Sequence, residues 1–438
     1  MKLLGPIVYE ISLWLLALLT LPKFLYEMLI YKKYRHSFLK RFGADLLHFE
    51  KKQKLVIWIH AVSLGETKAV VALSKELKKK YPQSTLIISS ITETGHQEAK
   101  KSISGADYHL YLPFDFNFLA RRIIKRFSPD LVLLSESDFW FNFLRHAKKK
   151  GASIVLVNGK ISERSAQRFA KFSFFSKQLF DLFDLFCLQN SSYVHRFKKM
   201  GISSEKIVVT GNLKFDDEYP LLTDEEIIAW QKKLAIKTDS PVLTIGSTHH
   251  PEEMLLIPIL QEVWKTYPDL KVLLIPRHPE RYAEAGKILE KQNISWINYT
   301  ELQDAKSHDA RVIVLNVMGL LRIAYQLSSV SIVGGSYTPK IGGHNVLEPC
   351  WYGKPVIFGP FMHTQVEFVE LVKKYECGLQ VELKDLSRIL IALLQNNEEK
   401  MRFGMNGIRM MQNLRGSTNR SLKLLETLIE KIIKKSTK

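Results

Sequence analysis

"LVIWIHAVSLGETKAV", residues 55 to 70, decides how the chain is to be read. The apolar run Leu55-Val56-Ile57-Trp58-Ile59 ends in His60, a Ser63-Leu64-Gly65 turn follows, and Glu66 heads an amphipathic stretch from Thr67 to Lys80. Apolar strand, glycine turn and helix start are the order of a β-strand feeding a helix in an open α/β sheet. Ligands of such sheets gather outside the carboxyl ends of the strands. Two roles for Glu66 follow. It is a first-turn acid that suits the positive end of the helix dipole, or it faces a cleft and takes a proton. His60, Ser63 and Gly65 share its turn and are candidates for the same site.

The alternation continues outward. "STLIISS", "DLVLLSES", "SIVLVNGK" and "KIVVTGN" are further apolar runs, each followed by a helical pattern. Interleaving of this kind implies right-handed βαβ units and a parallel sheet. After Phe215 the stretch "DDEYPLLTDEEIIAWQKKLAIKTDSP" is polar and acidic, a candidate linker with one helix. The pattern then restarts with "VLTIGSTH", "KVLLIPRHPE", "ARVIVLN", "VSIVGGSY" and "KPVIFGP". The expected fold is α/β, with two Rossmann-like doubly wound domains facing a cleft. Its expected parts are a membrane anchor at 1–31, a first domain at 32–215, a linker at 216–240 and a second domain at 241–438. The chain from Asn396 onward reads as helical and basic.

The 438 residues suit two domains, and 46% hydrophobic with 24% charged residues is a folded composition. Cys187, Cys350 and Cys377 lie far apart, which fits a reducing compartment and no zinc knuckle. A net charge of +19 calls for an anionic partner: nucleic acid, anionic lipid or a phosphorylated small molecule. Residues 4–31 are strongly apolar, interrupted by Glu10, Pro22, Lys23 and Glu27, and "YKKYRHSFLKRF" follows at 31–42. Lys and Arg beside an apolar segment favour the cytoplasmic side. The reading is a single anchor, spanning or half-inserted, with the basic protein against anionic lipid. Both sheets begin after Lys54, so neither is expected to need the anchor. No interleaved basic and aromatic readout elements lie beyond the anchor, which excludes a nucleic-acid binder.

Unusual residues cluster just after the strands: "ESDFW" (136–140), "GKISERS" (159–165), "GSTHHPEE" (246–253), "PRHPER" (276–281), "VMGLL" (317–321) and "GGHNVLEP" (342–349). Glu136 and Arg164 are candidates from the first half. In the second half, Gly342 and Gly343 let backbone approach a ligand, with His344 beside them, and a helix opens near Asn345. An ordinary loop capped by Asn345 is the alternative. Arg277 suits bidentate contact with phosphate or carboxylate, or is a surface arginine in a turn. The adjacent His249 and His250 point apart on most backbones, so no metal site is expected. There is no Rossmann glycine fingerprint, Walker lysine or Asp-x-Asp triplet.

In order, "HAVSLGE" (60–66), "ESDFW", "SERS" (162–165), "TGNLKFD" (210–216), "GST" (246–248), "PRHPER", "MG" (318–319) and "GGHNVLEP" resemble the bacterial 3-deoxy-D-manno-octulosonic acid (Kdo) transferases of lipopolysaccharide inner-core assembly. The resemblance runs from the anchor to about Pro360. It implies the glycosyltransferase B fold, CMP-Kdo as donor and a phosphorylated lipid A precursor as acceptor, with Kdo already added as a further acceptor. It also implies inversion at the anomeric carbon and a place on the cytoplasmic face of the inner membrane, against anionic lipid. Glu66 matches the family's general base. Pro276, Arg277, Met318, Gly319, Leu320, Asn345, Val346, Leu347 and Glu348 match its CMP site. No metal or cofactor is implied, because the leaving group carries one phosphate that backbone amides and Arg277 can offset. The alternative is a glycosyltransferase B enzyme using another nucleotide sugar. The chain departs from the family at Glu136-Ser137-Asp138-Phe139-Trp140-Phe141, where Glu-Thr-Glu-Leu-Trp-Pro is usual. It departs again at Asn158-Gly159-Lys160, where Asn-Ala-Arg is usual, and at Leu320, where Glu follows Met-Gly. Leu320 is therefore expected to contribute only backbone.

Overall fold

The computed structural model describes residues 4–30, 37–43, 55–216, 220–237, 239–302 and 309–436. Residues 31–36, the start of the basic and aromatic stretch, lie outside them. The chain forms two compact units. One comprises residues 1–217 together with 414–438, the other residues 218–413.

The first unit is built on β1 (Val56–His60), β2 (Thr85–Ser90), β3 (Tyr108–Tyr111), β4 (Leu131–Ser135), β5 (Ser153–Gly159), β6 (Leu185–Leu188) and β7 (Ile207–Val209). All pair in parallel, in the order β3-β2-β1-β4-β5-β6-β7. Every residue of β1 is buried, as a central strand covered by helices on both faces requires. Trp58, fully buried, meets Phe127 and Phe143 edge-on at 5.2 and 5.1 Å. Such T-shaped contacts suit the ring quadrupole.

The second unit repeats the plan with β8 (Val242–Thr248), β9 (Lys271–Pro276), β10 (Trp296–Asn298), β11 (Val312–Val314), β12 (Val330–Val333), β13 (Val356–Phe358) and β14 (Gly378–Gln380). The order is β10-β11-β9-β8-β12-β13-β14, again parallel. The doubly wound α/β reading therefore holds in both units. Ten strands coincide with the apolar runs. β3, β10 and β14 are not legible as such runs, because edge strands of three or four residues carry little pattern. β6 is hidden in an aromatic-rich helical stretch.

Two boundaries differ from expectation. The C-terminal helix Ser417–Ser436 belongs to the first unit, not the second. Leu422, Leu425 and Ile429 join the core formed by Leu73, Leu77 and Ile57, and Asp216 accepts the backbone N–H groups of Gly416 (2.7 Å) and Thr418 at the start of that helix. A carboxylate there satisfies amides with no partner inside the helix. The helix expected within the 216–240 linker is present, but it belongs to the second unit. This helix, Asp224–Lys233, is opened by a Thr223–Glu226 capping box and packs Ile227 and Trp230 against the core of that unit.

The N-terminal helix Leu4–Ile30 is, among the described residues, the one long and apolar enough to cross a membrane. It is not detached from the first sheet. Tyr9 donates its hydroxyl to Asp115 Oδ2 (2.8 Å), and Glu10 accepts from Asn117 N (3.1 Å) and Asn142 Nδ2 (2.8 Å). Rings continue the contact, with Trp14 4.4 Å from Phe116 and Phe24 5.1 Å from Phe38. The opposite face leaves Ile11, Leu15, Leu18, Leu19 and Leu29 exposed. Glu10, which reads as an interruption of an anchor, is a docking residue.

Asp115 is buried and also accepts from Asn142 N (2.9 Å) and Phe143 N (2.8 Å). Burial pushes its carboxyl up to about 7, against these donors. Tyr9→Phe keeps the ring contacts with Phe141 and Phe175 but removes one of the donors to buried Asp115. Loss of about 1–3 kcal/mol of stability is expected. A raised native pKa means that ionising Asp115 already costs stability as pH rises from the unfolded value toward 7. Removing a donor raises the native pKa further, so denaturant unfolding should show a larger Tyr9→Phe deficit at pH 8 than at pH 5. Deleting residues 1–31 should cost more than Tyr9→Phe, contrary to the dispensable-anchor expectation.

Candidate active site

In each unit the sheet reverses its growth beside its first strand, between β1 and β4 and between β8 and β12. Connections leaving such a pair diverge to opposite faces, and the gap between them is the usual ligand crevice. Glu66, Glu136 and the 342–348 loop fall on these gaps, and the other candidates follow neighbouring strands.

In the first unit, Ser63 caps helix Leu64–Lys80, and its hydroxyl donates to Glu66 Oε1 (2.8 Å). Glu66 Oε2 accepts from Val62 N (3.0 Å). The carboxylate thus completes the helix cap and is also largely buried, 7% exposed. Burial raises its pKa, the Val62 and Ser63 hydrogen bonds oppose that, and the nearby charges of Asp138 and Glu136 add to the rise. Gly95 keeps this turn in place, since a Cβ there would stand 3.0 Å from the Ser63 carbonyl carbon. The cap and a raised proton affinity coexist in one carboxylate.

Across the gap, Glu136 follows β4 with a φ of +63°, a left-handed conformation that a non-glycine residue holds only when its surroundings impose it. Its oxygens bind Lys214 Nζ (2.9 Å) and Lys160 Nζ (2.7 Å). Burial pushes this carboxyl up, but the two ammonium groups outweigh burial and hold it below the ordinary range. Asp138 has no ion pair among the described residues and is raised by burial and by Glu136, against the pull of Lys160. Asn158, at φ +54°, accepts from Leu213 N (2.9 Å) and so brings the 210–216 segment beside β5. Lys160, Lys214 and Asp138 are not singled out by the sequence. Their signal is position, since Lys160 directly follows β5 and Asp138 lies in the turn that follows β4.

His60 takes a different place. Its Nδ1 lies 2.8 Å from Ser89 Oγ, which also accepts from Trp58 Nε1 (2.8 Å). Complete burial pushes its pKa down to about 3, so it is a neutral ring in the wall of the site. Arg164 is exposed in the first turn of helix Glu163–Lys171 and is not drawn into the lysine–glutamate cluster. Gly65 faces Lys214, and a Cβ on this glycine would stand 3.9 Å from Lys214 Nζ.

In the second unit, β8 and β12 approach so closely that a Cβ on Gly334 would stand 2.7 Å from the Ser247 carbonyl oxygen. Glu252, wholly buried, ties the two loops together. It accepts from His249 N (2.9 Å), Gly335 N (2.7 Å) and Tyr337 N (2.8 Å). Neighbouring Glu253 accepts from Thr248 Oγ1 (2.8 Å) and is gripped by both terminal nitrogens of Arg281 (2.9 and 3.1 Å). Sequence reading misses both glutamates, which look like ordinary first-turn acids.

Pro276 ends β9, and Arg277 N donates to Thr248 O (3.0 Å), which leaves the Arg277 guanidinium exposed with no ion pair among the described residues. His249 and His344 stack at 5.0 Å with their Nε2 atoms 2.8 Å apart. Burial, His249, Arg277 and His278 together push His344 down to about 4. Gly342 and Gly343 hold φ of +84° and +83°, and a Cβ on Gly343 would collide with Met362 Sδ. Asn345 Oδ1 accepts from Leu347 N (3.0 Å). The helix there, Leu347–Trp351, starts two residues later than expected and has five residues. Val346 and Leu347 are buried, and half-buried Glu348 acts electrostatically on Tyr325, whose hydroxyl a Cβ on Gly246 would touch at 2.5 Å. Met318 and Gly319 (φ +96°) are exposed after β11 and precede half-buried Leu320. Thus the candidates of this unit follow β11, β9, β8 and β12, four consecutive strands of the sheet.

Glu252→Gln replaces a carboxylate that accepts three amides by an amide with one acceptor oxygen. A loss of roughly 2 kcal/mol or more from the second unit is expected. Urea unfolding checks it, and an unchanged midpoint would contradict the clamp.

Residues 36–217 match the family model described as 3-deoxy-D-manno-octulosonic-acid transferase (kdotransferase). A Chlamydophila psittaci 3-deoxy-D-manno-octulosonic acid transferase is 33% identical over 91% of this chain and 91% of its own length. A Haemophilus influenzae protein of the same name is 30% identical over 86% and 87%. The crystal structure of a glycosyltransferase from Rickettsia africae, 17% identical, covers 87% of this chain and 99% of its own with a TM-score of 0.57, a likeness of fold.

Proposed function

The chain belongs to the Kdo transferase family, and from that premise we propose that it moves Kdo from CMP-Kdo to a phosphorylated lipid A precursor, with inversion and without a metal ion. The observation that carries the mechanism is Glu66, a buried carboxylate of raised pKa held by only two donors at the end of β1. It takes the proton of the acceptor hydroxyl as that oxygen attacks the anomeric carbon. The bond to CMP breaks in the same displacement, and CMP leaves with the electron pair on its phosphate. Single displacement inverts the carbon. A base with a raised pKa suits this work, since its proton affinity approaches what the reaction demands.

The donor is assigned to the second unit. Arg277 offers an uncommitted guanidinium to the phosphate, and Pro276, Met318, Gly319 and Leu320 supply backbone and surface beside it. Asn345, Val346, Leu347 and Glu348 form the other wall, with Glu348 placed to accept from ribose hydroxyls. Gly342, Gly343 and His344 support that loop. In the first unit Glu136 acts through Lys160 and Lys214, whose remaining N–H groups suit a carboxylate or phosphate. The helix Leu4–Ile30 is docked along one face and apolar on the other, which favours a half-inserted position over a span. Basic residues after it favour the cytoplasmic face of the inner membrane and anionic lipid.

The test is incubation of the full chain with CMP-Kdo and a tetraacylated precursor in exhaustive EDTA, with products read by mass. One added Kdo or more is expected. No product, or product only after Mg²⁺ is returned, overturns the proposal, and protection from heat by a nucleoside diphosphate rather than CMP would point to another donor. Glu66→Gln should cut turnover by roughly 100-fold or more while CMP still protects the protein from heat.

Asp138→Asn removes a negative charge that raises Glu66. The acidic limb of the turnover profile should therefore move to lower pH, and a limb that moved upward or stayed would detach Glu66 from that limb.

A further inference from the structure

A groove of about 660 Å³ opens on the first unit, and none of Glu66, Glu136 and Asp138 lines it. One wall is the N-terminal helix, with Gly5, Val8, Tyr9 and Ser12. The other is formed by helices Glu163–Lys171 and Ser173–Phe180, chiefly by Phe169, Phe172, Phe174 and Phe175. The volume lies in the range of small-molecule sites. The helices meet closely at one end, where a Cβ on Gly5 would stand 2.6 Å from Gln178 Oε1.

Two features identify the occupant. The apolar wall is continuous with the open face of the N-terminal helix, where Ile7, Val8, Ile11 and Leu15 are exposed. The rim is cationic. Arg168 lines the groove and Arg164 lies one turn before it on the same helix, both exposed and without an ion pair among the described residues. Glu163, the acid that precedes Arg164, is engaged by Lys199 (3.0 Å) and Arg196 (3.4 Å). An oily slot with two uncommitted guanidinium groups at its mouth fits a chain bearing a phosphate at one end.

We propose that this groove holds an acyl chain of the phosphorylated lipid acceptor, with its phosphate on Arg164 and Arg168. This rests on the acceptor class proposed above and adds where that acceptor is gripped. The N-terminal helix is then part of the acceptor site as well as a membrane contact. Ser12 offers a clean obstruction, because its hydroxyl bonds only to Val8 O of its own helix (2.8 Å).

The probe is an acylated, bisphosphorylated glucosamine disaccharide with a photoreactive group midway along one acyl chain, used with the full chain in mixed micelles. Cross-links are expected at residues 8–12 and 169–175, and Ser12→Trp should remove most of them. In transfer assays Ser12→Trp should raise KM for the acylated acceptor about tenfold, roughly 1.4 kcal/mol, with kcat within about twofold. The deacylated disaccharide should show no such change. Arg168→Gln should raise KM for both, since both retain phosphate, and it covers the case in which Ser12→Trp fails to fold. Cross-links elsewhere, cross-links indifferent to both variants, or equal competition by phosphatidylglycerol would overturn the proposal. Cross-linking as expected with no sugar transfer in the wild type would instead defeat the proposed function and leave the groove standing.

Discussion

Each sheet must reverse beside its own first strand, and this one topological constraint sets where chemistry can occur. A strand with a neighbour grown from each direction sends its two flanking connections to opposite faces, so nothing covers the gap at its carboxyl end. Here that gap is edged by Glu66 and Glu136 in the first unit, and by Glu252, Arg277 and the 334–346 loop in the second. Gly334 in one unit and Gly95 in the other let backbones close in where any side chain would push them apart. The reversal fixes the location, and packing fixes its precision.

Three buried glutamates at these gaps have diverged by the partners they meet. Glu252 is surrounded by three amides and serves as a clamp. Glu136 is neutralised by two lysines and held ionised, so it orders cations rather than moving protons. Glu66 is raised by burial and by two neighbouring negative charges, against the pull of its two donors. Similar burial with unequal partners separates a carboxylate that ties two loops, one held by cations and one left with two donors.

Much of this is legible in the sequence, because long buried strands announce themselves as apolar runs and glycine turns mark the connections. Glu66 can be picked out by its place after β1, and Arg277 by its place after β9. What escapes depends on pairing across distance. Lys214 and Glu136 meet over 78 positions, and no local pattern announces that contact. An amphipathic helix such as Ser417–Ser436 states that it has a partner face but not whose. Its return to the first unit is decided by Asp216, which reads locally as one more acid in an acidic stretch.

The N-terminal helix shows how the same ambiguity hides function. Tyr9 and Glu10 lower the hydropathy of an anchor, and in a bilayer core such groups are costly unless paired. Docked against Asp115, Asn117 and Asn142 they are paired, so the helix can keep one polar seam toward protein and one apolar face toward lipid. A helix of 27 residues is about 40 Å long, and one fastened at Tyr9, Trp14 and Phe24 lies along its unit rather than leaving it. The seam therefore fixes where the apolar face of the helix stands on the first unit. For the lipid acceptor proposed above, a hydrogen-bonded seam supplies a constancy of placement that a free anchor on a tether lacks.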